Sequence, residues 1–385
     1  MLKNVTDSVF YVGVDDKDID LFENQYIVPN GIAYNSYVIM DEKIAIMDMV
    51  DAKCADQWFA NVAEVLGDRK PDYLVISHLE PDHSANLGDV LAKYPDIKIV
   101  STAKLFGMLP NFFEVPVADR IVTVAEGQTL SLGSHTLQFF MAPMVHWPEV
   151  MVTYEQSEKI LFSADAFGKF GTLDTDEDWA CEARRYYFNI VGKYGMPAQA
   201  LLKKAAGLDI QKICALHGPI LTENLEYYIG KYQLWSTYTP EDEGIFIAYC
   251  SLHGNTEKAA KKLAEILESK GAQKVVVSDL SRDDMAECIE DAFRYDRLVL
   301  AAPTYDGGVM PVMADFINHL KMKAYQKRKV AFIENGSWAP MAAKLMKEQM
   351  SAMKDIEIVD EHVTIRSAFK QSDVAALEAL ADKLL

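Results

Sequence analysis

Cysteine is scarce in this chain and badly placed for structural chemistry. The five cysteines, Cys54, Cys181, Cys214, Cys250 and Cys288, are scattered, odd in number and form no C-x-x-C pair. That spacing supports no disulfide framework, zinc ribbon or iron–sulfur centre, and reads as small hydrophobes in a reducing compartment. Long apolar runs are absent too; none approaches the roughly 18 residues of a membrane span. Acids interrupt the N-terminal MLKNVTDSVFYVGVDDKDIDLF, where a secretion signal needs an unbroken apolar stretch. A cytoplasmic chain with no membrane partner is expected. Positive charge is short as well: 38 Lys and Arg stand against 57 Asp and Glu, a net −19. Such a surface repels phosphate backbones, so no nucleic-acid partner is expected. Neither G-x-x-x-x-G-K-[ST] nor G-x-G-x-x-G occurs, which makes a nucleoside triphosphatase unlikely and leaves a dinucleotide site weakly supported.

What is present is an ordinary globular composition. Half of the 385 residues are hydrophobic and a quarter charged, enough for two or three domains. The polar stretch Ser236–Gly244, with Pro240 and the acids 241–243, is the best boundary, giving domains at 1–240 and 245–385. Beyond it, short apolar strands alternate with amphipathic helices five times, which predicts a doubly wound five-stranded parallel sheet covered on both faces. The first part is richer in strand, with runs such as AIMDMV, YLVIS, KIVST, TLQFFMA and KILFSA, and reads as two mixed sheets with outer helices.

Metal-ligand residue types crowd one stretch of the first part, His78-Leu79-Glu80-Pro81-Asp82-His83, directly after the strand YLVIS. Pro81 limits the freedom of this loop and so its ordering cost. His146, Asp165 and His217 each follow another predicted strand. Side chains at strand ends on one side of a sheet can converge from distant sequence. Four imidazoles and three carboxylates suffice for two metals with one carboxylate, Asp165, between them. Three carboxylates favour a harder redox ion, iron or manganese, over zinc. Two divalent ions bring +4 and the carboxylates return −3, leaving a residue that a hydroxide balances. His135, His319 and His362 lack such company and read as ordinary histidines.

In the second part, Ser251-Leu252-His253-Gly254-Asn255-Thr256 joins a strand to a helix. Hydroxyls, a flexible glycine and the free N–H groups of a helix start suit a phosphate monoester. Two further strand-end loops, Pro303-Thr304-Tyr305-Asp306-Gly307-Gly308 and Asn335-Gly336-Ser337-Trp338-Ala339-Pro340, add aromatic side chains. Three such loops make a slot for a flat ring with a phosphate tail, and flavin mononucleotide (FMN) is the expected occupant.

With H-x-E-x-D-H at 78–83, then His146, Asp165 and His217, and the loop at 251–256, the whole chain resembles a flavodiiron protein, or A-type flavoprotein. The resemblance implies an N-terminal metallo-β-lactamase-like αββα sandwich followed by a flavodoxin-like domain. It implies two irons, one on His78, Glu80 and His146, the other on Asp82, His83 and His217, with Asp165 bridging. His253 departs from the hydroxyl residue of many flavodoxins. Implied activities are reduction of dioxygen to water and of nitric oxide to nitrous oxide. No rubredoxin domain is expected within the chain, so electrons would come from a separate donor, rubredoxin or a reduced deazaflavin, in a head-to-tail homodimer or dimer of dimers. Trp147, Tyr186 and Tyr187 are candidates for the pocket wall, and the basic run Lys321, Lys323, Lys327, Arg328, Lys329 for donor docking. The alternatives are a dinuclear zinc hydrolase with an appended flavodoxin domain, or an electron carrier with a vestigial metal half.

Overall fold

In the computed structural model, residues 4–385 are described. The chain divides into two compact units, the first ending at Ser236 and the second spanning Thr237–Leu385.

The first unit holds two large sheets, beside the short pairings of Val14–Asp16 with Ile32–Tyr34 and Leu21–Phe22 with Tyr26–Ile27. One is β1 (Val9–Tyr11), β2 (Tyr37–Ile39), β3 (Ala45–Met47), β4 (Tyr73–Val75), β5 (Lys98–Thr102) and β6 (Ile121–Val124), in that spatial order. Its first two pairings are antiparallel and the rest parallel. The other is β7 (Thr129–Ser131), β8 (Thr136–Met141), β9 (Met151–Glu155), β10 (Ile160–Phe162) and β11 (Lys212–Cys214), antiparallel except for its final pair. Alternate residues of both sheets, among them Val9, Tyr11, Tyr37, Ile39, Leu137 and Phe139, meet in one core. That is the period-two burial of a sandwich. Helix α1 (Ala55–Leu66) buries Trp58, Val62 and Leu66 at helical spacing and stops at Gly67 in a positive-φ conformation.

The segment 81–84 is not the loop expected from Pro81. It is a helical turn, α2 (Pro81–Ser84), with the proline at its first position. The fixed φ of proline suits that position, where its missing N–H costs nothing. Short helices follow at Leu87–Lys93 and Ala103–Met108, and later in the unit come α3 (Trp179–Tyr186), α4 (Gly195–Ala205) and α5 (Leu225–Ser236), with α4 packed on α5.

The second unit is a parallel sheet ordered β13-β12-β14-β15, made of β12 (Asp242–Tyr249), β13 (Val275–Asp279), β14 (Tyr295–Tyr305) and β15 (Lys329–Asn335). The fifth position is split. The expected continuous run IEIVDEHVTI forms β16 (Glu357–Ile358) on the start of β15 and β17 (Val363–Ile365) on its end. Asp360, Glu361 and His362 between them have no apolar side chain to bury. Helices α6 (Asn255–Ser269), α7 (Met285–Arg294), α8 (Pro311–Met322), α9 (Ala342–Ser351) and α10 (Val374–Leu384) alternate with the strands. The sheet order reverses beside β12, so the loops leaving β12 and β14 diverge and open a crevice at the strand ends. Among the described residues no helix is long and apolar enough to cross a membrane.

Candidate functional site

The approach to His78 is built by a buried carboxylate. Asp48, just past β3 at φ 55°, accepts hydrogen bonds from Ser77 N and Ser77 Oγ, both at 2.7 Å. Two residues on, the Leu79 N–H donates to Glu149 Oε1 at 2.9 Å, and Ser84 Oγ donates to Leu79 O at 2.7 Å. The backbone around His78 and Glu80 is therefore held from both sides before any ligand is considered. Helix α2 then turns Asp82 and His83 back toward the strand end.

All seven predicted residues meet there. His78, Glu80, His146 and Asp165 form one group and Asp82, His83 and His217 a second, with the ligand atoms of each group within 4.8 Å of one another. His78 Nε2 lies 3.2 Å from Asp165 Oδ2 and 3.5 Å from Glu80 Oε2; His146 Nε2 is 2.9 Å from Glu80 Oε2. On the other side, His217 Nε2 is 3.3 Å from Asp82 Oδ2 and 3.6 Å from Asp165 Oδ1. Asp165 thus turns one oxygen to each group. Gly168 makes room, since a Cβ there would meet Asp165 O at 3.0 Å and His217 Cβ at 3.5 Å.

The ring orientations are those of metal ligands. His83 Nδ1 donates to Met49 O at 3.1 Å and His217 Nδ1 to Ala33 O at 2.9 Å, which leaves both Nε2 lone pairs facing inward, 3.3 Å apart. A carbonyl on the outer nitrogen is what fixes the tautomer of a ligating histidine. Both ring nitrogens of His78, both oxygens of Asp82 and Asp165 Oδ2 are buried without a hydrogen-bond partner. Such atoms cost about 1–3 kcal/mol each, more when charged, unless a cation satisfies them. The donor set fits a pair of metal ions.

The electrostatics agree. Burial opposes charge on His78, but Asp165 and Glu80 beside it push the imidazole up to about 10. Burial raises Glu80, yet His146 and His78 hold it well below the usual carboxylate range. Burial, with the charge of Glu80, lifts Asp82 to about 6. Burial and the neighbouring His217 and His78 push the His83 imidazole well below its ordinary range. A cavity of about 400 Å³ opens onto Glu80 and Asp82. Its walls carry Asp18, Asp20, Glu23 and Asp51, while Lys53 is committed to Asp16 at 2.5 Å.

Around the cluster, Trp147 packs edge-on against His78 and His146, at 6.2 Å from each ring. Tyr186, at the end of α3, donates from its hydroxyl to Asp165 Oδ1 at 3.1 Å. Tyr187 turns away from the cluster into an aromatic core with Tyr232 and Trp235, because consecutive helical residues face different sides.

In the second unit a cavity of about 760 Å³ sits at the strand ends. Its walls include Ser251, Leu252, His253, Asn255 and Thr256 from the first loop, Pro303, Thr304, Asp306 and Gly307 from the second, and Gly336, Ser337, Trp338 and Ala339 from the third. Gly254 and Tyr305 lie outside the walls. Gly254 instead supplies the φ of 76° at the N-cap of α6, a position without a side-chain cap, so the first N–H groups of that helix stay open. Ser251 Oγ is buried with no partner. Thr304 Oγ1 accepts from Met341 N and Ala342 N at 2.9 and 3.1 Å, pinning the third loop to the second. Trp338 is 84% exposed.

A family model described as ODP family beta lactamase matches residues 32–218, and one described as a flavodoxin domain matches 246–363. The rubredoxin oxygen:oxidoreductase of Desulfovibrio gigas has the same fold, with a TM-score of 0.93 at 25% identity over all of this chain and 98% of that one. The flavodiiron protein of Giardia intestinalis also matches in fold, at 0.93 and 23% identity, over all of this chain and 96% of that one. The chain shares the two-part architecture of the flavodiiron proteins. A nitric oxide reductase of Moorella thermoacetica is 29% identical over 372 residues, 93% of this chain and 91% of that protein. The flavodiiron pattern leaves several contributors unmarked. Asp48 and Glu149, which hold the ligand-bearing backbone, and the cavity residues Asn335, Ser367 and Ala368 were not legible as site residues. A charged residue inside the apolar run AIMDMV was the available signal for Asp48.

Proposed function

We propose that this chain reduces dioxygen to water, nitric oxide to nitrous oxide, or both, at a diiron centre on the seven clustered residues, with FMN in the 760 Å³ cavity. The observation that carries the reading is Asp165, one oxygen facing His78 and the other facing His217. His78, Glu80 and His146 would hold one iron, Asp82, His83 and His217 the other, and Asp165 would join them. When bound, the irons and the flavin supply the four electrons that take dioxygen to water, or the two that join two nitric oxide molecules, drawn from a donor such as rubredoxin. The chain's own part is to hold the ligands rigid, to keep Asp165 in place through the Tyr186 hydroxyl, and to exclude water behind Trp147. The acidic cavity walls repel anions but admit neutral diatomic gases.

The second reading, a zinc hydrolase, is disfavoured by that same acidic opening, since phosphodiesters are anions, and by the three carboxylates among the seven clustered residues, which favour a harder ion than zinc. Metal analysis and anaerobic turnover with each gas, driven by a saturating artificial donor, test the proposal. About two irons per chain and gas consumption support it; zinc with ester cleavage rejects it. A head-to-tail dimer belongs to the same proposal and is checked by sedimentation. For the flavin, Ser251→Ala should weaken FMN binding by about tenfold or more, the worth of a hydrogen bond to a charged group, and leave riboflavin binding unchanged. Equal losses for both ligands would place that hydroxyl elsewhere than on the phosphate.

A further inference from the structure

The walls of the 760 Å³ cavity carry only two titratable side chains, Asp306 and His253. No lysine or arginine is among them. A phosphate monoester brings about −1.5 to −2 at neutral pH, here into a chain of net charge −19. The neutral donors available are Ser251 Oγ, buried and unpartnered, the buried Thr256 and the uncapped start of α6. The helix start contributes only about half a positive charge. His253 is thus the one wall residue able to supply a full cation.

Resting on the FMN reading above, we propose that protonated His253 is the charge partner of the FMN phosphate and makes flavin retention pH-dependent. Imidazole is the side chain whose ordinary charge change falls between pH 5 and 8. Charged groups on the surrounding elements include Glu257, Lys258 and Lys261 in the first turns of α6, with Lys262, Glu265 and Glu268 further along it, Asp279 at the end of β13 and Asp283 beyond it, Asp306 after β14, and Arg366 and Lys370 after β17. Lys261 is paired with Glu257 at 2.6 Å, and Arg366, itself not a wall residue, donates to the backbone oxygen of the wall residue Ser337 at 3.4 Å. Glu334 on β15 is bound to Ala343 N and Thr364 Oγ1.

The sign separates this from phosphate chemistry alone. Phosphate gains its second charge near pH 6, so helix and hydroxyl donors by themselves hold it more tightly as pH rises. A histidine partner reverses that trend, because it loses its proton in the same interval. A group whose pKa is raised by the ligand favours binding below the free pKa and loses that favour as pH rises through the bound one. A one-unit rise weakens binding roughly fivefold between pH 6.5 and 8.5.

The test uses the full chain stripped of flavin, titrated with FMN and with riboflavin by fluorescence quenching from pH 5.5 to 8.5. Wild type, His253→Thr and His253→Gln are compared. FMN affinity of the wild type should fall about fivefold above pH 6.5, both variants should stay level or tighten, and riboflavin should be pH-independent throughout. Wild type and variants sharing one FMN profile would overturn the role of His253 while leaving the flavin site intact. Failure of either flavin to bind at any pH would overturn the FMN reading and this inference with it.

Discussion

On the proposed reading, Asp165→Ala should empty the metal cluster: iron should drop from about two per chain to well below one, gas reduction should fall by at least about a hundredfold, and FMN content should stay the same. The loss of a ligand outweighs that of the groups which merely orient ligands, whose removal already costs about 10–100-fold. Asp165 also turns Oδ2 toward His78 and Oδ1 toward His217, so one substitution removes an oxygen from the face of each group. Charge compounds the damage. With +4 from two divalent ions, the three carboxylates leave about +1 in a buried site; two leave about +2. The Tyr186 hydroxyl loses its acceptor as well. Flavin should survive because every wall of its cavity comes from residues 251–368 of the second unit. Metal analysis beside the flavin absorbance of the same sample decides the matter. Two irons and unchanged turnover in the variant would remove Asp165 from the centre.

The cluster was legible because its members announce themselves by residue type and by position after apolar runs. His78, His146, Asp165 and His217 could each be placed at a strand end from hydrophobic pattern alone, and strand ends converge. The alternating half was legible for a related reason, since helices of ten or more residues and fully buried strands carry strong periodicity. What escaped lacks such a pattern. The hairpins Val14–Asp16 with Ile32–Tyr34 and Leu21–Phe22 with Tyr26–Ile27 have only two or three residues per strand, too few for a period to show. They nevertheless carry Phe22 and Tyr34, whose rings pack on His217 at 5.4 and 6.0 Å. Asp48 and Glu149 act through backbone N–H groups, an effect no spacing rule displays. Tyr186 and Tyr187 were indistinguishable until the end of α3 fixed which ring faced Asp165.

The basic run after α8 shows the same limit from the other side, and it yields the second large effect. Linear charge suggested a docking patch, but Arg328 is 2% exposed. Its Nη1 donates to Tyr238 O at 2.7 Å, Gln326 O at 3.0 Å and Lys327 O at 3.2 Å, its Nη2 donates to Phe293 O, and its plane lies 5.8 Å from the Tyr325 ring. Lys327 is spent on Thr237 O at 2.8 Å. Arg328 therefore ties the segment after Ser236 and the end of α7 to the start of β15. Arg328→Ala should destabilise the second unit by about 3–5 kcal/mol, because it strands several buried carbonyls and leaves a hole. Thermal unfolding followed by flavin release should drop by roughly 10 °C or more. Arg328→Lys should recover only part of this, since an ammonium cannot reach carbonyls on opposite sides of a planar fork. A docking residue would behave otherwise: its removal would slow reduction by the donor and leave the melting temperature where it was.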